Sequence, residues 1–260
     1  MSAHEIVRLM NEEEETVFRA MRQAEGELAI VTGHAAEAFI AGGRVVYLGA
    51  GTSGRIAQAD AAEMPPTFGI DGDRFIALVA GGNVAEGKAL EEAEDDEFAV
   101  VQALNDLRIN RRDVVIGVAA SGKTPFVVSG VRHARQKGAW TCGIANNRGA
   151  PLLEAADLGI LLETGPEVLT GSTRLKAGTA QKLALNRIST GAMVLAGKVI
   201  ENLMVDVKAK NHKLKERCVR IVMELTTATA DEAQAALEDS NWSVRGAVSS
   251  LRETAPVGAR

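Results

Sequence analysis

Twice in this chain an apolar, β-type run ends in glycine and hydroxyl residues and passes straight into a helical pattern. RVVYL (44–48) leads into GAGTSGR (49–55), and DVVIGV (113–118) leads into AASGKTP (119–125). Further strand-like runs follow the same spacing: FIALV at 75–79, residues 139–145, and LGILL at 158–162. Helical patterns separate them, at 54–64 (where Pro65-Pro66 should end the helix), at 84–107 and at 124–137. Strands alternating with helices in this way predict a parallel sheet covered on both faces. Residues 4–41 read as helical before the sheet, and 176–197 and 209–227 after it. The tail carries two short helical patterns, 230–238 and 243–252, with Asp231 and Ser243 near their starts. Together with the end of the preceding helix, they predict a small three-helix module.

The two junctions also carry a chemical expectation. A helix start presents unpaired backbone N–H groups and the positive end of the helix dipole, and nearby hydroxyls add donors. Such a cup suits a phosphate. A third stretch, TGSTRLKAGTAQK (170–182), is rich in Ser, Thr and Lys. Ser121 and Thr124 offer hydroxyls in the second cup and Lys123 offers a charge, while Thr124-Pro125 suits an N-cap followed by the first helical position. GAGTSG matches the dinucleotide fingerprint, but FIALV ends in Ala80-Gly81-Gly82, with no acid for a ribose. AASGKTP lacks the spacing of a nucleotide P-loop. The expected ligand is therefore a phosphorylated small molecule.

Composition narrows the alternatives. At 260 residues and 46% hydrophobic, the chain can bury a full core, and with only 3% aromatics that core must be aliphatic. A net charge of −5 argues against a broad nucleic-acid or anionic membrane surface. Cys142 and Cys218 lie far apart, with neither zinc nor disulfide spacing, which fits a reducing, cytoplasmic setting. The first fifteen residues lack the pattern of a signal peptide, and no apolar run is long enough to span a membrane. His4, His34, His133 and His212 form no ligand spacing, so no metal is expected.

Carboxylates are the candidates for chemistry. Glu63 stands just before Pro65-Pro66, and Glu91, Glu92, Glu94, Asp95, Asp96 and Glu97 form an acidic string. Most of such a string is solvated, and spacing alone does not say which member turns inward. Paired carboxylates without a His or Cys partner point to proton transfer rather than nucleophilic or zinc hydrolysis.

The segments GAGTSGR, AEMPPTFG (62–69), LEEAEDD (90–96), AASGKTP, PEVLTGSTRLKAGTAQKLALNRISTGAMV (166–194) and NLMVDV (202–207) together resemble the N-acetylmuramic acid 6-phosphate etherases, from about residue 3 to 252. The resemblance implies a sugar-isomerase (SIS) fold, that is, a five-stranded parallel sheet in a flavodoxin-like three-layer sandwich with a small UBA-like helical tail. It divides the chain into an N-terminal helical segment (1–42), a sugar-phosphate-binding domain (43–208) and a C-terminal module (209–260). It implies a cytoplasmic homodimer that needs no cofactor and cleaves the D-lactyl ether of N-acetylmuramate 6-phosphate. Glu94 would take the C2 proton of the ring-opened sugar and Glu63 would protonate the departing oxygen. Ser53, Ser121 and Thr124 would hold the phosphate, with Lys123, Ser172 and Lys176 assisting. Four segments depart from the family pattern: Met64 stands for the usual Cys, Lys123 for Arg, Asn146-Asn147-Arg148-Gly149 for Cys-Asn-Pro-Gly, and Ala209-Lys210-Asn211-His212-Lys213 for Ala-Thr-Asn-Glu-Lys. A non-catalytic sugar-phosphate regulator and an aldose–ketose isomerase are the alternatives that share the same fold.

Overall fold

The computed structural model describes residues 1–82, 91–207, 209 and 211–254. The chain forms two compact units, one of Met1–Ala62 with Gly72–Ala192 and the other of Glu63–Asp71 with Met193–Arg260.

The first unit is built on a five-stranded parallel sheet of β1 (Val45–Gly49), β2 (Phe75–Val79), β3 (Val114–Val118), β4 (Trp140–Ala145) and β5 (Leu158–Leu161), in the order β2-β1-β3-β4-β5. Every residue of the central strands β1 and β3 is buried, as expected of strands covered on both faces. Helix α5 (Pro125–Gln136) packs Val127, Val131 and Ala134 into a cluster with Leu48, Val115 and Leu152. Helices α1 (Ala3–Gln23) and α2 (Glu25–Ile40), α4 (Glu97–Asp106), the short α6 (Pro151–Ala155) and α7 (Lys176–Leu195) complete the unit. At the starts of β1 and β3, Arg44 donates to both carboxylate oxygens of Asp113, at 3.0 and 2.8 Å.

Four sequence expectations are corrected. Helix α3 runs from Gly51 to Phe68 and carries Pro65 and Pro66 inside it. Proline removes the donors that Ala61 and Ala62 would have met. The helix nevertheless continues, because Met64 and Phe68 are buried and Gly69 N–H closes the last turn on Pro65 O at 3.0 Å. The long helix expected over 84–107 is a 3₁₀ turn at Glu91–Asp95 followed by α4, and residues 84–90 lie outside the described residues. The expected N-terminal helix is two helices that meet at Ala24. The helix expected from 209 starts at His212 as α8 (His212–Leu225).

In the second unit a hairpin of β6 (Val199–Ile200) and β7 (Leu203–Met204), not anticipated from the sequence, precedes three helices. Helices α8, α9 (Ala230–Asp239) and α10 (Val244–Thr254) pack around Cys218, Ile221, Val222, Leu237 and Val248. Thr229 and Glu232 form a capping box at the start of α9, so the cap lies two residues before Asp231, while Ser243 Oγ accepts from Gly246 N at the start of α10. Asp206 holds both Arg245 (2.6 Å) and Lys198 (3.1 Å).

Candidate active site

Strand order places the site. The chain leaves β1 toward β2 on one side and returns to β3 on the other, so the connections from β1 and β3 diverge. In an open α/β sheet a crevice forms at the carboxyl ends of strands at such a switch point. Gly49 is paired with Val118 across these two strands, so GAGTSGR and AASGKTP lie side by side at that edge.

The first loop opens α3. Ser53 is buried. Gly51 adopts φ +50°, and a Cβ placed on it would stand 3.2 Å from Glu94 Oε1. Of the acidic string it is thus Glu94, half-buried, whose carboxylate lies over the first turn of α3. The neighbouring acids are engaged elsewhere or exposed: Asp96 caps α4 through Ala99 N at 2.9 Å, Glu97 accepts from Ser129 Oγ, and Glu92 and Asp95 face solvent. A helix start favours a negative charge electrostatically.

The second loop opens α5. Gly122 has φ +62°, and a Cβ there would collide with Ala150 Cβ at 2.4 Å, so only glycine fits this turn. Ser121 and Lys123 are exposed and Thr124 is half-buried. Ser121 Oγ accepts from Lys123 N at 3.2 Å, which leaves its hydroxyl hydrogen to be donated. Thr124 makes no side-chain capping bond, and the first turn of α5 has no acidic residue.

The third loop opens α7 in a different state. Glu167 accepts from Lys176 N (3.0 Å) and Ala177 N (2.9 Å), so a carboxylate of the chain already sits on this helix start. Lys176 is buried and its Nζ donates to Glu13 of α1 at 2.6 Å. Ser172 is half-buried in the turn before the helix, where Leu175 N donates to its carbonyl at 3.2 Å. The first turn of α7 is nonetheless close to the first loop, since a Cβ on Gly178 would lie 3.5 Å from Thr52 Cγ2 and from Ile56 Cδ1.

Behind the first loop lies a buried network that the sequence did not reveal. Asp60 Oδ2 accepts from Tyr47 OH at 2.9 Å, and its Oδ1 accepts from Asn186 Nδ2 at 2.6 Å and Ser189 Oγ at 3.0 Å. Burial, then the charge of Asp60, holds the Tyr47 phenol well above its ordinary range, so it remains a donor. Glu13, Asn146 and Gln181 were also missed, because each acts through a residue distant in sequence, and so was Glu167, which reaches past the loop to the start of α7. Glu63 is exposed on α3 and belongs to the second unit. Among the described residues no group of His, Cys, Asp and Glu could hold a metal ion, and no helix is long and apolar enough to cross a membrane. Burial pushes the Cys142 thiol up and so removes it as a nucleophile.

Comparison with known proteins adds to this geometry. The SIS domain family matches residues 99–188, and the glucokinase regulatory protein N-terminal SIS domain family matches residues 24–135. N-acetylmuramic acid 6-phosphate etherase from a Geobacillus species is 48% identical over 248 residues, covering 95% of this chain and 84% of the relative. The protein of the same name from Cronobacter sakazakii is 49% identical over 244 residues, covering 94% and 82%. Among solved structures, phosphoheptose isomerase GmhA from Neisseria gonorrhoeae superposes with a TM-score of 0.52 at 21% identity, over 75% of this chain and all of that one, which supports the fold alone.

Proposed function

This chain belongs to the N-acetylmuramic acid 6-phosphate etherase family, and from that premise we propose how its residues carry out the reaction. The enzyme is a carbon–oxygen lyase that converts N-acetylmuramate 6-phosphate and water to N-acetylglucosamine 6-phosphate and D-lactate. In the ring-opened substrate the C2 proton is acidic because it lies next to the aldehyde. Glu94 removes it, the electron pair forms the C2–C3 double bond, and the C3–O bond to the lactyl group breaks. The family motif assigns to Glu63 the proton for the departing lactate oxygen, which as an alkoxide would leave poorly. Water then adds at C3 and a proton returns to C2. The observation that carries the base assignment is the Glu94 carboxylate over Gly51, at the head of α3 and beside the β1/β3 switch point.

The 6-phosphate is read onto the second loop, which supplies the hydroxyls of Ser121 and Thr124, the charge of Lys123 and the uncapped start of α5, with Ser53 supplied from the first loop on the neighbouring strand. Ser172, half-buried in the turn before α7, is the third-loop hydroxyl assigned an assisting role. Lys176, already engaged by Glu13, supports the third loop rather than the ligand. The enzyme is read as a cytoplasmic homodimer. Exposed Ile6, Leu9 and Met10 continue the apolar stripe of the amphipathic α1 beyond its buried Val17, Ala20 and Met21, which supports self-association, since a second copy would cover them. The test is direct: incubate the purified chain with N-acetylmuramate 6-phosphate in H₂¹⁸O and measure D-lactate. Lactate released with label at C3 of the sugar supports elimination and rehydration. Label in the lactate, or no lactate at all, overturns it.

A further inference from the structure

Gln181 is 1% exposed on the second turn of α7, and its Oε1 has no hydrogen-bond partner among the described residues. A buried, unmet acceptor is costly, so its retention calls for a reason. The amide orientations follow from one another. Asn146, at the end of β4, donates through Nδ2 to Leu162 O at 2.8 Å, which leaves its Oδ1 to accept. Gln181 must then present Nε2 to that oxygen, as it does at 3.0 Å, which turns its own Oε1 away. Asn146 N–H donates to Ala120 O at 3.0 Å, and Asn147 Nδ2 donates to the same carbonyl at 2.8 Å. Ala120 is the residue before Ser121. A chain of hydrogen bonds therefore runs from α7 through Asn146 to the backbone of the second loop, with β5 as its fixed support.

We propose that the Gln181–Asn146 amide pair is a positioning clamp that holds the second loop in register with α7 and so sets the affinity of the enzyme for the phosphate of its substrate. The unmet acceptor on Gln181 is tolerated because turning the amide to satisfy it would break the link to Asn146. The inference rests on the assignment of the phosphate to Ser121, Lys123 and Thr124.

The test is a double-mutant cycle with Gln181→Met, Asn146→Ala and the two combined, each first shown by circular dichroism to be folded. KM and kcat for D-lactate release are measured, together with the Kd for inorganic phosphate, which needs no turnover. The clamp predicts that each single variant raises both KM and the phosphate Kd about tenfold, leaves kcat within about twofold, and that the double variant is no worse than the singles. Unchanged KM and Kd, additive effects, or a loss confined to kcat overturns it. If the wild type releases no lactate, the etherase reading fails while the phosphate Kd still decides the clamp. A variant that does not fold is replaced by Gln181→Glu, which keeps the shape but sets an acceptor against Asn146 Oδ1, and the same Kd is read.

Discussion

The second and third loops look alike as sequence and differ as structure. Both place glycine, Ser/Thr and lysine at the start of a helix. At α5 the cup is unoccupied by any acidic residue of its own first turn, and its lysine is exposed. At α7, Glu167 accepts from the first two N–H groups and the lysine is buried against Glu13. One helix start carries no acid in its first turn, and the other is closed by a carboxylate of the chain. A dipole and a set of hydroxyls define where an anion can sit, and the nearest carboxylate decides whose anion it is.

The contrast can be broken by variants that change rate, affinity or stability separately. The largest effect is expected outside both loops. Glu94→Gln should lower kcat about 10³-fold, the range of a lost general base, while phosphate affinity is unchanged. Stopped assays of D-lactate with a parallel phosphate titration check this, and undiminished turnover would remove Glu94 as the base. Next comes the second loop. Ser121→Ala combined with Lys123→Met should raise KM about thirtyfold, as expected for the loss of two bonds to a charged ligand, with the melting temperature unmoved. A KM equal to wild type would take the phosphate away from this loop.

Third-loop variants should behave in the opposite way. Glu13→Gln leaves the buried Lys176 ammonium without its carboxylate. With Glu13 itself 39% exposed at the side chain, the loss should be about 2 kcal/mol rather than the full cost of a wholly buried pair. Calorimetry should show a melting temperature lower by about 5 °C, with KM for substrate retained. The smallest effect is expected from Glu167→Gln, which weakens the charge at the start of α7 by about 0.5–1 kcal/mol. Denaturant titration reads it. A KM change larger than the stability change in either variant would show that Glu13 or Glu167 acts on the substrate and not only on the fold.

Much of this site was legible beforehand because it is local. RVVYL and DVVIGV are strands for the same reason that they are buried, and Gly, Ser and Thr at their ends mark the turns. Spacing alone marked the acidic string as a region and not a residue; the family motif pointed to Glu94, and the fold sets that carboxylate near Gly51, more than forty positions away. Pro65-Pro66 misled for a physical reason: proline removes donors locally, but buried Met64 and Phe68 carry the helix past the gap. Glu13–Lys176, Glu167 and the Asn146–Gln181 pair had no local signature, because a polar residue in a helix or loop pattern gives no sign of the group it meets once the chain folds.

The amino-acid order alone determined the alternation of strand and helix, the parallel sheet and the places where helices open on glycine and hydroxyl turns, because hydrophobic period and turn chemistry act within a few residues. Which helix start stays open, which acid turns inward and which lysine is already paired were decided only when the sheet order brought distant segments together. Charges and buried amides are satisfied by whatever stands within hydrogen-bond reach, and that neighbour is a property of the folded chain.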